Sequence, residues 1–383
     1  MTNVVLILEA TVGGTRRHVR DIVRGLAAGP RKSQFRLSVI CSTRRDPAME
    51  DDLALFRSLG VGVFVVPMRR SVSPVSDFLC TLRIARLLRA MRPDVVHTHS
   101  SKAGLCGRLA VRLLPRAVRP SVVHTPHGFA FDIGGAKGRG AFRALAREWE
   151  RFARMMTDTL VCVSDHERRQ ALALGYAVSA VRHICNGVEP LPVDARPAAP
   201  LSDPVRPPRI RLFGRVCPQK GQEVLAAAVR ELRDSRLLPE TGLDVALYGT
   251  LPRRLPRSLR RAESDGLLRV AGPLSPEDAL AEIAASDIVV LPSNWEAMPY
   301  VMLEALAAGR YVVAASVGGI PEFIVDGQNG LLISRGDAHA LAVAILSILE
   351  GRVRLHPDSR PVPGTDAMLG ALSALYVSAR ERG

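Results

Sequence analysis

Residues 4–28 read VVLILEATVGGTRRHVRDIVRGLAA. Val4–Leu8 is an unbroken apolar run, Gly13 and Gly14 punctuate it, and Val19, Ile22, Val23 and Leu26 then recur at helical spacing through Thr15–Ala28. A strand that ends in a glycine turn and passes into a helix opens an α/β unit. Outward from this stretch the pattern repeats. Strands are predicted at Leu37–Cys41, Val61–Val66, Val95–His97, Val122–His124, Leu160–Val163 and Val181–Cys185, with helices such as Phe78–Met91 and Ala103–Leu114 between them. Runs of Val, Ile and Leu without alternation suit strands covered on both faces of a parallel sheet.

The texture then changes. Residues 190–208, PLPVDARPAAPLSDPVRPP, hold seven prolines and can neither extend a sheet nor form a helix. A second strand–helix series starts at Ile210–Phe213 and continues through Val245–Tyr248, Leu268–Ala271, Ile288–Leu291 and Tyr311–Ala314. The expected organisation is an N-terminal domain over 1–189, a linker over 190–208, a C-terminal domain over 209–363 and a terminal helix over 364–383. Two parallel α/β domains of similar size would face a cleft, with ligand loops at the carboxyl ends of their strands. In the terminal helix, Met368, Leu369, Leu372 and Leu375 share one face, a stripe that predicts docking back on the N-terminal domain.

Of 383 residues 47% are hydrophobic and 23% charged, with a formal net charge of +15, which excludes an acidic disordered chain. The first 190 residues hold 30 Lys and Arg against 15 Asp and Glu, so the whole excess lies there. Such an excess points to phosphates or an anionic surface. Aromatic residues, at 4%, are too few for base-stacking platforms, so nucleic acid is not the expected partner. No apolar run reaches the roughly 18–20 residues of a membrane span. The N-terminus meets Glu9 too early for a signal peptide, and a cytoplasmic protein is expected. The six cysteines lie far apart and read as buried thiols.

Three motifs carry chemistry. Glu296-Ala-Met-Pro-Tyr-Val-Met-Leu-Glu304 follows the strand Ile288–Leu291. Pro299 suits the first turn of a helix, which puts Glu296 in the preceding loop, facing amide donors, and Glu304 on the helix. Leu212-Phe-Gly-Arg215-Val-Cys-Pro-Gln-Lys220-Gly221 follows another strand and precedes the helix Gln222–Leu232. A guanidinium fork at Arg215 and a point charge at Lys220 suit a diphosphate. His127 stands just past a strand end in Val122-Val-His-Thr-Pro-His127-Gly-Phe. One strand earlier, His97 reads as strand interior, and His99, Ser100, Ser101 and Lys102 as a polar loop capping a helix that starts near Ala103. His97-x-His99 is half of a metal site, but no carboxylate or thiol is near in sequence, so no metal is expected.

These blocks, in order, resemble a GT-B retaining glycosyltransferase of family 4. The likeness runs through Gly13-Gly14, HTHSSKAG, HTPHGF, CVSDHE at 162–167, NGV at 186–188, GRVCPQKG at 214–221 and Glu296-x7-Glu304, and on through Ala315–Leu332. The resemblance implies two Rossmann-like domains, a nucleotide-diphosphate sugar bound by the C-terminal one, and an acceptor bound mainly by the N-terminal one. It implies that Arg215 and Lys220 hold the diphosphate and Glu304 the ribose hydroxyls. Catalytic positions fall to Glu296 and His127, beside the donor sugar. Gly13 and Gly14 would let the first loop close on the phosphates, and Met298, Pro299 and Tyr300 would line the donor. No cofactor is implied, and no Asp-x-Asp is present. The chain departs from the family where Ala297-Met-Pro-Tyr300 replaces the common Gly-Phe-Gly, and where Arg310 replaces proline, read as a surface change. The alternatives are a GT-B nucleotide-sugar epimerase and a non-catalytic nucleotide-sugar-binding protein.

Within the family, the histidine blocks are most similar to the branch that builds bacterial surface glycans on polyprenyl-diphosphate carriers. A glycan or lipid-linked acceptor is therefore expected, with the basic N-terminal half held peripherally on the anionic inner face of the cytoplasmic membrane. Candidate contacts are Arg69, Arg70 and the stretch Arg139–Arg154, where Phe142, Leu145 and Trp149 stand beside Arg143 and Arg147.

Overall fold

A computed structural model describes residues 1–46, 49–132, 140–189, 206–235, 241–353 and 361–382. The chain divides into two compact units, Met1–Asn186 with Thr365–Gly383, and Gly187–Gly364. Most of the expected linker, residues 190–205, lies outside the described residues.

The first unit runs β1 (Thr2–Leu8), α1 (Gly13–Ala27), β2 (Phe35–Cys41), α2 (Met49–Ser58), β3 (Gly62–Val65), α3 (Pro74–Met91), β4 (Val95–His99), α4 (Ser100–Arg112), β5 (Ser121–Thr125), α5 (Gly140–Ala153), β6 (Thr159–Cys162), α6 (Asp165–Ala173) and β7 (Val181–His183). The second runs β8 (Arg209–Phe213), α7 (Gln222–Asp234), β9 (Asp244–Tyr248), α8 (Arg257–Ser264), β10 (Arg269–Ala271), α9 (Pro276–Ala285), β11 (Ile288–Leu291), α10 (Tyr300–Ala307), β12 (Tyr311–Ala315), β13 (Gly330–Ile333) and α11 (Ala338–Leu349). Helix α12 (Thr365–Arg382) returns to the first unit.

Both sheets are parallel, in the orders β3-β2-β1-β4-β5-β6-β7 and β10-β9-β8-β11-β12-β13. Each reverses direction of winding once, between β1 and β4 and between β8 and β11. Loops beyond the carboxyl ends of those central strands diverge and leave room for a ligand. The inner strands are buried on both faces, as their continuous apolar runs require, while the edge strands β3, β7 and β10 are partly exposed. One face of the first sheet buries Val4, Leu6 and Leu8 with α1 and α12, and the other buries Val5 and Ile7 with α3 and α4.

The apolar stripe of α12, extended by Tyr376 and Ala379, is buried in the first unit's core. Leu369 lies so close to Gly25 that a Cβ there would meet its Cδ1 at 2.1 Å, so α1 and α12 pack with no room between them. Helix α2 and strand β13 carry short, weakly patterned signals and escape the sequence reading.

Two expectations need correction. The stretch His99–Lys102 is not a polar loop. His99 ends β4, α4 begins at Ser100, and Lys102 is buried with its Nζ 2.5 Å from Asp77 Oδ2. Arg310 is not at the surface: it is buried, donating Nε to Ala308 O (3.1 Å) and a terminal nitrogen to Ser286 O (3.3 Å). Both side chains are long cations that each find a partner in another segment, Asp77 for Lys102 and Ser286 for Arg310, which a local reading counts as solvated. A smaller difference is that Pro299 sits one residue before α10 rather than in its first turn.

Candidate active site

In the second unit the site is built from two loops at the switch point, one after β8 and one after β11. They are tied together along the backbone. Asn294 N donates to Gln219 O (2.7 Å), Asn294 Nδ2 to Pro218 O (2.6 Å), and Gln219 Nε2 to Trp295 O (3.2 Å). Two glycines permit this approach. Gly221, at φ +66°, precedes α7 with its Cα against Pro292 O, and Gly318, at φ +57°, lies against Glu296 O; a Cβ would stand 2.0 Å and 1.7 Å from those oxygens.

The pinned loops bring Lys220 to Glu296. Lys220 Nζ lies 2.6 Å from Glu296 Oε1, and Ser293 Oγ donates to the same oxygen at 2.8 Å. Glu296 is buried, so its carboxylate depends on this cation. It takes these side-chain donors, where the sequence reading expected helix amides. Arg215 stands half-buried on the same loop as Lys220. Glu304 is buried on α10, and Met298, Pro299 and Tyr300 are buried around the start of that helix. Pro299 supplies no side-chain cap to α10, and its first turn carries no acid to repel an anion approaching the helix start.

In the first unit the corresponding loops gather imidazoles. The parallel register places His99 beside Leu8 on one side and Thr125 on the other. The period of two then puts His97 and His99 on the face covered by α1 and α12, and Thr98 and His124 on the face toward α4. His18 comes from α1, and His127 from the turn after β5, held at φ +52°. His99 Nδ1 and His127 Nε2 lie 3.2 Å apart, so one ring donates to the other. His18 Nδ1 lies 3.1 Å from Asn186 Oδ1 of the NGV block. His97 is bound at both nitrogens, to Tyr376 Oη at 2.7 Å and Thr125 Oγ1 at 2.8 Å.

Burial holds these rings in the neutral form. It lowers His18 to about 4, and it drives His97, His99, His124 and His127 well below the usual imidazole range, reinforced by neighbouring imidazoles and, for His124, by Arg108. Neutral imidazole is also the metal-ligating form. His18, His99 and His127 each offer a nitrogen, all within 4.8 Å of one another. His18 and His127 come from segments far from His97-x-His99 in the chain, so the sequence around that pair does not show them.

Glu167 supports the His127 turn and was missed as a site residue. Its two carboxylate oxygens accept from Gly128 N and from Val163 N (2.9 Å), while Ser164 Oγ accepts from Glu167 N (3.1 Å). Burial raises it to about 7. The signal was present: Ser164-x-x-Glu167 has the spacing of a capping box. Gly13 and Gly14 open α1, with no side-chain cap at Val12 and no acid in the first turn.

Comparison with known proteins adds the family. Residues 12–190 match the family described as Glycosyltransferase Family 4, and residues 207–351 that described as Glycosyl transferases group 1. Each match carries one switch-point site. The chain belongs to glycosyltransferase family 4. This glycosyltransferase is 28% identical over 335 residues, covering 84% of this chain and 81% of the other, to UDP-Gal:alpha-D-GlcNAc-diphosphoundecaprenol alpha-1,3-galactosyltransferase of Escherichia coli. Its fold is that of sucrose-phosphate synthase from Thermosynechococcus elongatus (TM-score 0.72, 19% identity, all of both chains). The lipopolysaccharide outer core galactosyltransferase WaaB in its apo form shares the fold too (TM-score 0.67, 16% identity, 100% of this chain and 98% of that one). The glycosyltransferase has the GT-B fold and acts with retention from a nucleotide-sugar donor. Among its described residues no helix is long and apolar enough to cross a membrane.

Proposed function

We propose that the enzyme transfers a hexose from a UDP-sugar to a sugar carried on a polyprenyl diphosphate. The observation that carries the donor half is the Lys220–Glu296 pair, with Arg215 half-buried on the same loop as Lys220. Lys220 has three N–H donors, so it can keep Glu296 and still reach a phosphate oxygen. Arg215 adds a bidentate fork. Glu296, neutralised by Lys220, can accept from hydroxyls of the donor sugar, and buried Glu304 from the ribose. Met298, Pro299 and Tyr300 line the donor. The acceptor half rests on the Escherichia coli relative, whose name specifies UDP-galactose and a diphosphoundecaprenol acceptor.

Retention through a front-face attack places its main demand on the leaving diphosphate, whose charge grows as the glycosidic bond breaks. Arg215 and Lys220, on the loop after β8, meet that charge within the second unit. We assign His127 a hydrogen bond to the donor sugar, its ring oriented by His99. The reading needs no metal and no cofactor. With a lipid-linked acceptor, the enzyme works peripherally at the anionic inner face of the cytoplasmic membrane through its basic first half.

The test is incubation of the purified chain with UDP-galactose, UDP-glucose, UDP-N-acetylglucosamine or GDP-mannose and a polyprenyl-diphosphate N-acetylglucosamine, followed by mass spectrometry. Transfer from a UDP-sugar is expected, and EDTA should leave it intact. Interconversion of nucleotide sugars without transfer would favour the epimerase. Abolition by EDTA with rescue by manganese would overturn the metal-free reading.

A further inference from the structure

Helix α3 is apolar on two faces. Its buried face carries Cys80, Ile84 and Leu88 into the core. The opposite face carries Val75, Phe78, Leu79 and Leu82 at i, i+3, i+4 and i+7, one stripe along two turns. Val75, Phe78 and Leu79 are 74%, 61% and 59% exposed, and Val72, in the approach to the helix, is 69% exposed. A soluble surface does not gather four large apolar side chains in eight residues without a partner.

The charge around this tip has one sign. Residues 69–92 contain six arginines and one acid, Asp77. Asp77 is buried, bound to Lys102 Nζ and accepting from Ser73 N (3.1 Å), so it holds the start of the helix and presents no negative charge outside. Arg69 and Arg70 are exposed before the apolar tip. Arg83, Arg86 and Arg89 are exposed after it, on the outer side of the helix, and no ion pair among the described residues engages any of the five.

We propose that this tip of α3 is where the enzyme docks on an anionic lipid surface, with Val72, Val75, Phe78 and Leu79 entering the acyl region and the arginines on either side meeting headgroup phosphates. Apolar residues bracketed by basic ones, with no exposed acid, complement an anionic bilayer and not a neutral or acidic-rimmed protein face. Helix α5, the other candidate, fits less well. It exposes Phe142, Leu145 and Phe152, but Glu148 is exposed among them, Trp149 is half-buried near the Arg108 guanidinium, and Arg147 lies over the Phe131 ring. The inference rests on the membrane reading given above and names the face that reading uses.

The test is flotation of the full chain with phosphatidylglycerol/phosphatidylcholine or pure phosphatidylcholine vesicles at low and high salt. Transfer to a detergent-solubilised polyprenyl-diphosphate acceptor is measured in parallel. The wild type should float with the anionic vesicles, less so at high salt. Phe78→Ser/Leu79→Ser should reduce that partition roughly tenfold or more, and Arg83→Glu/Arg86→Glu should remove its dependence on lipid charge. Phe142→Ser/Leu145→Ser should float as the wild type does, and every variant should keep transfer in detergent. A wild type that floats while the α3 variants float equally would overturn the assignment and leave the membrane reading standing; so would loss confined to the α5 variant. A wild type that transfers in detergent but floats with neither vesicle would overturn the docking surface, as expected if the tip binds a protein instead. A chain with no transfer to the lipid-linked acceptor under any condition would sink the functional reading itself.

Discussion

Lys220 and Glu296 hold one another before any donor arrives, which separates the roles of the two cations in the β8 loop. Removing Arg215 takes away a ligand contact and leaves the protein's own pairing untouched. Removing Lys220 also leaves a buried carboxylate that keeps the Ser293 hydroxyl but loses its cation. Arg215→Ala should weaken nucleoside-diphosphate binding by about 1.5–3 kcal/mol, or ~10–100-fold, with an unchanged melting temperature. Lys220→Ala should weaken binding by a similar factor and also cost stability, of the order of 1–3 kcal/mol. Glu296→Gln in the Lys220→Ala background should recover most of that loss, because the uncompensated charge is gone. Calorimetry and thermal unfolding of the four proteins check this; equal stability of Arg215→Ala and Lys220→Ala would contradict it. Among the acids, Glu304→Ala should raise the donor KM more than it lowers kcat, since a ribose contact persists from ground state to transition state. Glu296→Ala and His127→Ala should instead depress kcat. Steady-state kinetics that show all three alike would remove this division of roles.

The last helix contributes to the core of a unit whose other residues end at Asn186. Leu372 is fully buried there, and Tyr376 Oη reaches His97, which in turn holds Thr125 at the end of β5. Leu372→Ala should destabilise the first unit by about 2–5 kcal/mol, the range for a large-to-small change in a filled core. Tyr376→Phe removes one hydroxyl without changing shape, yet leaves a buried imidazole nitrogen without its partner, a cost of about 1–3 kcal/mol. Urea unfolding followed by circular dichroism measures both. A Tyr376→Phe midpoint equal to wild type would mean that water replaces the hydroxyl. Helix α6 has a comparable task, since Glu167 anchors both its own N-terminus and the turn that carries His127.

Across the whole molecule, acid should be the destabilising direction. His18, His97, His99, His124 and His127 are neutral in the folded protein because burial depresses them, whereas each returns to its ordinary range near 6.5 on unfolding. Above that value neither state binds the protons, and the stability is fully present. As pH falls below it, the unfolded chain gains protons that the folded one refuses, and stability is lost, for His18 down to about 4. Each such ring contributes up to ~1.4 kcal/mol per pH unit. Glu167 acts oppositely: raised to about 7, it favours the folded state at low pH and loses that contribution as pH rises. Glu9 and Asp21, raised by burial, and His166 and His339, raised by Asp132 and Glu231, act in the same sense as Glu167. The five buried imidazoles are driven furthest from their ordinary range, so the unfolding midpoint should fall from pH 6.5 downward. Unfolding curves between pH 4 and 8 test the sign, and a midpoint flat or rising toward pH 5 would show that the rings are protonated in the folded state.

Which parts of this were legible without a structure follows from the range of the interactions involved. The Val, Ile and Leu runs and the intervening helical spacing reveal two parallel α/β halves, because hydrophobic periodicity is set by the local geometry of strand and helix. Arg215, Lys220, Glu296 and Glu304 stand out because a strand, a loop and a helix start are contiguous in the chain. The stripe on α12 announces that it docks. Its place against Gly25 and His97, however, depends on where the chain has travelled meanwhile. The same holds for His18, His99 and His127, which meet only through the strand order β1-β4-β5 and the side-chain alternation along β4. Lys102 and Arg310 look like surface residues until Asp77 and the Ser286 carbonyl are brought to them. An apolar residue declares its burial by its own type and spacing. A polar one can be buried only where partners arrive to satisfy it, and those arrivals are decided by the tertiary fold.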